Sequence, residues 1–176
     1  MPETHQGLTR DEYFRFRDRY LPDHRKIIFV LESPPKSGLY FYNSEGSVSE
    51  PLFRAMMKDV LEINPKNKAE GLSEFASRGF LLIDATYRPV NHPHLSQRDR
   101  NKLILDDFPR LLEDLGNHAE PETGVVLVKA NVCELLEQKF TDCGFNEPMR
   151  SPTPAVGKIN QASFTGAPVT PSIASL

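Results

Sequence analysis

The sequence predicts an α/β domain: a three-layer α/β/α sandwich around a short, mostly parallel, four-stranded sheet. Three observations carry that prediction. The runs at 27–31, 80–83 and 125–128 are apolar at every position, the pattern of strands buried on both faces and hence of a parallel sheet covered by helices. Segments with helical spacing of apolar residues separate each run from the next. The first two runs break directly into polar residues at their carboxyl ends, where ligands bind in sheets of this kind.

Taken in order, Thr9-Arg10-Asp11-Glu12 is a capping-box pattern. It is followed by Tyr13, Phe14, Phe16, Tyr20 and Leu21 and stopped by Pro22, so a short first helix is expected. The first strand, 27–31, runs into Glu32-Ser33-Pro34-Pro35. Pro51 can occupy a first helical position, and Leu52, Phe53, Met56, Met57, Val60 and Leu61 recur behind it at helical spacing. A helix over 72–78 is closed by Gly79 and leads into the second strand. Beyond Ser96, the residues Leu103, Ile104, Phe108, Leu111, Leu112 and Leu115 predict a longer helix, kinked at Pro109 and ended by Gly116. After the third strand, Asn131-Val132-Cys133-Glu134 reads as a second capping box, opening a helix that Gly144 closes. The fourth, shorter strand is expected within 145–150.

With 176 residues, 39% of them hydrophobic, the chain suits one domain spanning 1–176, with 1–8 and 165–176 flexible. No apolar run approaches the ~20 residues that span a bilayer. The polar start lacks the apolar region of a secretory signal, so no membrane association is expected and the cytoplasm is the expected compartment. Cys133 and Cys143 are too few for a disulfide framework or a Cys₄ metal site, so neither metal nor other cofactor is expected. A formal charge of −3 argues against coating nucleic acid by electrostatics alone. The distribution is uneven: 85–102 holds four cations against one anion, and 103–142 nine anions against three cations.

The loop after the first strand is the most informative stretch. Glu32 is a carboxylate at a strand end, Pro34 and Pro35 stiffen the backbone, Gly38 permits a tight turn, and Tyr40, Phe41 and Tyr42 follow in a row. Aromatic rings beside a fixed carboxylate suit a flat, uncharged ring that needs a stacking surface and an acid or base nearby. The same three rings would equally serve to cover the core. His92 and His94 lack a third metal ligand at a recognisable spacing, and no Gly-x-Ser-x-Gly elbow supports a serine nucleophile.

Val30-Leu31-Glu32-Ser33-Pro34-Pro35 resembles the first motif of the uracil-DNA glycosylase superfamily, which in its iron–sulfur branch reads Gly-Glu-x-Pro-Gly. The stretch from Gly79 to Pro89 resembles that branch's second strand, which ends in an Asn with an Arg-Pro a few residues on. Arg150-Ser151-Pro152 lies where the family has a late polar loop. The resemblance covers roughly 26–164. It implies a four-stranded parallel sandwich that flips a damaged or deaminated base out of DNA and hydrolyses its N-glycosidic bond. Glu32 would orient water or stabilise the developing sugar cation. Ser33, Pro34, Tyr40, Phe41, Tyr42, Asn43 and Asp84 would form the base pocket, with Asp84 standing where the family has its base-reading Asn. Lys36, Arg88, Arg98, Arg100, Ser151 and Lys158 would grip DNA phosphates. The chain departs from the pattern at Leu31 and Pro35, which replace two glycines. It also lacks the cluster-binding cysteines and a late His. The rival expectation is a non-catalytic module that binds a nucleotide, DNA or a protein on the same fold.

Overall fold

The computed structural model describes residues 7–144 and the two-residue strand 149–150. Helix α1 (Arg10–Arg17) opens on the expected capping box, with Thr9 and Glu12 each bonding the other's backbone N–H, and continues as a 3₁₀ turn, Asp18–Tyr20. Strand β1 (Ile27–Leu31) follows, buried at all five positions. Helix α2 (Pro51–Ala55), with Pro51 at its start, widens into a π-helical turn, Met56–Val60. The wide turn is closed by Leu61 N–H donating to Met56 O at 3.1 Å, and Met56, Met57, Val60 and Leu61 are all buried.

Helix α3 (Lys68–Ser77) is capped by the Asn67 side chain and leads through Gly79 into strand β2 (Phe80–Asp84). Gly79 adopts φ +80, and a Cβ there would stand 2.8 Å from His24 O. This turn therefore requires glycine.

Helices α4 (Gln97–Asp106) and α5 (Phe108–His118) replace the single kinked helix expected beyond Ser96. The break falls at Asp107 because Pro109 has no N–H to continue the ladder, and it sits in the first turn of a new helix. Gly116 does not end α5, which runs on to His118. Strand β3 (Gly124–Leu127) precedes helix α6 (Ala130–Asp142), and strand β4 is Met149–Arg150. The capping box expected at Asn131 does not form. The cap position is Lys129, which contributes no side-chain cap.

Among the described residues every strand pairing is parallel, and the order is β2-β1-β3-β4. β1 is therefore flanked on both sides, with Phe29 opposite Leu82 and Val126. Phe29, Phe41, Phe53, Phe75 and Phe80 pack as a linked set of rings with centroids 5.2–6.0 Å apart. Such pairs add ~0.5–1.5 kcal/mol each beyond the area they bury. Arg17, 2% exposed, lies against the Phe14 ring and donates to Asp114 at 2.7 Å, fastening α1 to α5. Among the described residues, no helix is long and apolar enough to cross a membrane.

Candidate functional site

Because β1 is central and all strands are parallel, the residues just past β1, β2 and β3 converge on one rim. Pairing extends beyond the strands themselves. Ala85 N–H donates to Leu31 O, Thr86 N–H to Glu32 O and Val128 N–H to Val30 O, at 2.7–3.2 Å. Glu32 is thus tied to a rigid scaffold through its own backbone.

Its side chain is held as firmly. Lys129 Nζ donates to Glu32 Oε2 and Asn131 Nδ2 to Oε1, each at 3.0 Å. Only 13% of the Glu32 side chain is exposed, against 56% of Lys129. Asn131 is oriented in turn, its Oδ1 accepting from Gln97 Nε2 on α4 at 3.2 Å. The amide that the sequence pattern assigned to a helix cap is therefore spent on the Glu32 carboxylate. Lys129 adopts φ +78 and ψ 139, backbone space that belongs almost wholly to glycine.

Ser33 knits the first two loops together: its hydroxyl accepts from Val90 N–H at 3.2 Å and donates to Pro34 O. Pro34 is buried, while Lys36 and Gly38 are exposed, with Gly38 at φ +76 in the expected turn. Asn43 shapes the next turn, its Oδ1 accepting from Glu45 N–H at 3.2 Å.

The three aromatic rings do not offer a stacking surface. Tyr40, Phe41 and Tyr42 are 1%, 2% and 0% exposed. β2 is the edge of the sheet and its outward Leu82 N–H needs an acceptor, which the Tyr42 hydroxyl supplies at 2.8 Å. Phe41 packs against Phe53 and Phe75, and Tyr40 against Tyr13 and Phe16. Beneath them Lys68, fully buried, donates to Tyr40 O at 2.9 Å and to Glu50 Oε2 at 2.8 Å. Neither partner of this buried pair is signalled by a motif.

Asp84 ends β2 and is 3% exposed. Burial pushes its carboxyl up to about 8, against the pull of Lys129 and Arg17. At neutral pH it therefore carries a proton and offers one donor and one acceptor, as an amide does. Asp84 also lines a cavity of about 210 Å³, together with Arg10, Tyr87, Arg88 and Arg110. A second, wider cleft opens between the first and second loops, walled by Tyr13, Pro35, Lys36, Pro89 and His92.

Of the expected phosphate ligands, Arg88 is already occupied. Its Nε and Nη2 each reach an Asp107 carboxylate oxygen at 3.0 Å, and Nη2 also donates to Leu103 O. Arg100 donates to His92 O at 3.2 Å and is half-buried, whereas Arg98 and Lys36 are exposed. Ser151 and Lys158 lie outside the described residues. His92 and His94 approach to 5.1 Å between ring centroids, and among the described residues no three His, Cys, Asp or Glu side chains are grouped to hold a metal.

The site thus joins Glu32 to Asn131 and adds Lys129, which no sequence motif singled out, while Asp84 lines a separate cavity. Its one signal was position, two residues past the short strand beside β1. No family model matches this chain, and none of the curated proteins or solved structures compared with it matches either.

Proposed function

We propose that this protein is a DNA glycosylase that hydrolyses the N-glycosidic bond of a damaged or deaminated base, acting in the cytoplasm. In this reading the fold is a three-layer α/β/α sandwich around a four-stranded sheet, as in the uracil-DNA glycosylase superfamily. The observation that carries the reading is Glu32: a carboxylate at the end of the central strand, with both oxygens held and a flank of the group still open to solvent. Cleavage of an N-glycosidic bond develops positive charge on the sugar, which a fixed carboxylate stabilises, and negative charge on the departing base. Asp84, protonated at neutral pH, is the complementary donor. The base would enter the cavity that Asp84 lines beside Tyr87 and Arg88, since the Tyr40–Phe41–Tyr42 rings are taken by the core.

The test is base release from oligonucleotides carrying uracil, hypoxanthine or xanthine, read as alkali-labile breaks. Glu32→Gln, isosteric and uncharged, is expected to lower the rate by roughly 10²–10⁴ while circular dichroism stays unchanged. Burial of the three rings favours a second reading, a non-catalytic module that binds DNA, a nucleotide or a protein. Folded wild-type protein that releases none of these bases would move the conclusion to that reading.

A further inference from the structure

We propose that Lys129 is an amine nucleophile and that this site, besides releasing a base, forms an imine with the aldehyde of an abasic deoxyribose and breaks the strand by β-elimination. The inference rests on the glycosylase reading for its choice of DNA as substrate.

Three groups stand in the order that activates a nucleophile: a nucleophilic side chain, a base within hydrogen-bond reach, and a third group that orients the base. Lys129 Nζ is 3.0 Å from Glu32 Oε2, and Asn131 Nδ2 holds Glu32 Oε1 at 3.0 Å, itself fixed by Gln97. The exposures fit those roles. The amine is more than half exposed and open to a substrate, while the base is sheltered. The backbone adds a separate argument. A residue at φ +78 and ψ 139 is strained unless it is glycine, and retained strain of this kind clusters at functional sites. An ion pair serving stability alone would ask only for a positive charge, which any reach from a relaxed backbone supplies.

The chemistry closes without an added reagent. Glu32 takes a proton from the ammonium, and the freed Nζ attacks C1′ of the ring-opened sugar. After a nitrogen proton passes to the oxygen, Glu32 returns its own proton to the resulting carbinolamine hydroxyl, which leaves as water to give the iminium. Glu32, ionised again, then removes a C2′ proton. That electron pair forms the C2′=C3′ double bond as the C3′–O bond breaks and the phosphate departs. Water hydrolyses the imine, returning the amine and an unsaturated aldehyde.

The experiment supplies the abasic site ready-made, so that it does not depend on which base the protein removes. The full chain is mixed with an oligonucleotide bearing an aldehydic abasic site, with sodium borohydride to reduce any imine, and the covalent product is mapped by mass spectrometry. The expected result is a protein–DNA adduct on Lys129, strand cleavage when borohydride is omitted, and loss of both in Lys129→Arg, which keeps the charge. No adduct from folded wild-type protein, or an adduct on Lys36 or any other lysine, would overturn the proposal. Base release without trapping would leave the glycosylase reading standing and remove the nucleophile. Trapping on Lys129 without base release would do the reverse.

Discussion

Asp84 turns burial into pH dependence. Its folded value of about 8 lies above the ordinary 3.8, so between those limits the folded state holds a proton that the unfolded chain has lost. The stabilisation is complete below the unfolded value and drains away as pH rises through about 8, by up to ~1.4 kcal/mol per pH unit. Asp84→Asn removes the ionisation and keeps the shape. Urea midpoints of wild type and variant are therefore expected to diverge as pH is raised from about 5 to about 8, the variant gaining on the wild type. A constant gap across that range would mean Asp84 ionises freely in the folded state. The same proton decides whether the residue can donate a hydrogen bond, because an ionised carboxylate only accepts them.

At the scale of elements, the loop 40–43 is fastened to α3 by one buried cation, Lys68, which serves both Tyr40 O and Glu50. Lys68→Ala leaves the Glu50 carboxylate buried without its partner, and a loss of ~3–5 kcal/mol is expected in denaturant unfolding. Lys68→Ala together with Glu50→Ala is expected to cost less than Lys68→Ala alone, since no charge is then stranded.

The strands were legible because a run apolar on both faces has few other homes. The helix ends at Gly79 and Gly144 were legible because a left-handed residue there calls for glycine. What escaped were choices between partners. Asn131 could cap its own helix or bind Glu32, and only the fold brings Glu32 within reach. Three consecutive aromatics could stack on a ligand or fill the core, and the unpaired edge of β2 settled the matter for Tyr42. Lys129 belongs to no motif, and its role follows from the parallel register of β3 beside β1. Arg88 showed its charge in the sequence, but not the Asp107 that consumes it.

For the whole molecule, the −3 charge and the engaged Arg88 and Arg100 limit how DNA would be held under the proposed function. Of the four expected phosphate-binding cations among the described residues, these two are engaged and Lys36 and Arg98 are exposed, so two contacts are available there on the glycosylase proposal. Each released counterion contributes a slope near −0.9, and the plot of log K against log salt is expected to fall with a slope of about −2. Arg88→Ala is expected to lower the melting temperature and leave that slope unchanged. A slope several times steeper, or one that flattens in Arg88→Ala, would show that Asp107 releases Arg88 to the phosphates on binding.

Glu32 meets Lys129 and Asn131 across separations of 97 and 99 residues. During synthesis the carboxylate therefore emerges long before the amine that answers it. Until β3 has left the ribosome, β1 has only one neighbour, and its second edge is an open template for other chains. A chaperone that binds extended apolar segments would find its target in that interval. Chains stalled before residue 129 would carry the carboxylate with no amine beside it, so the reactive pair comes into being only as the sheet closes over its own central strand.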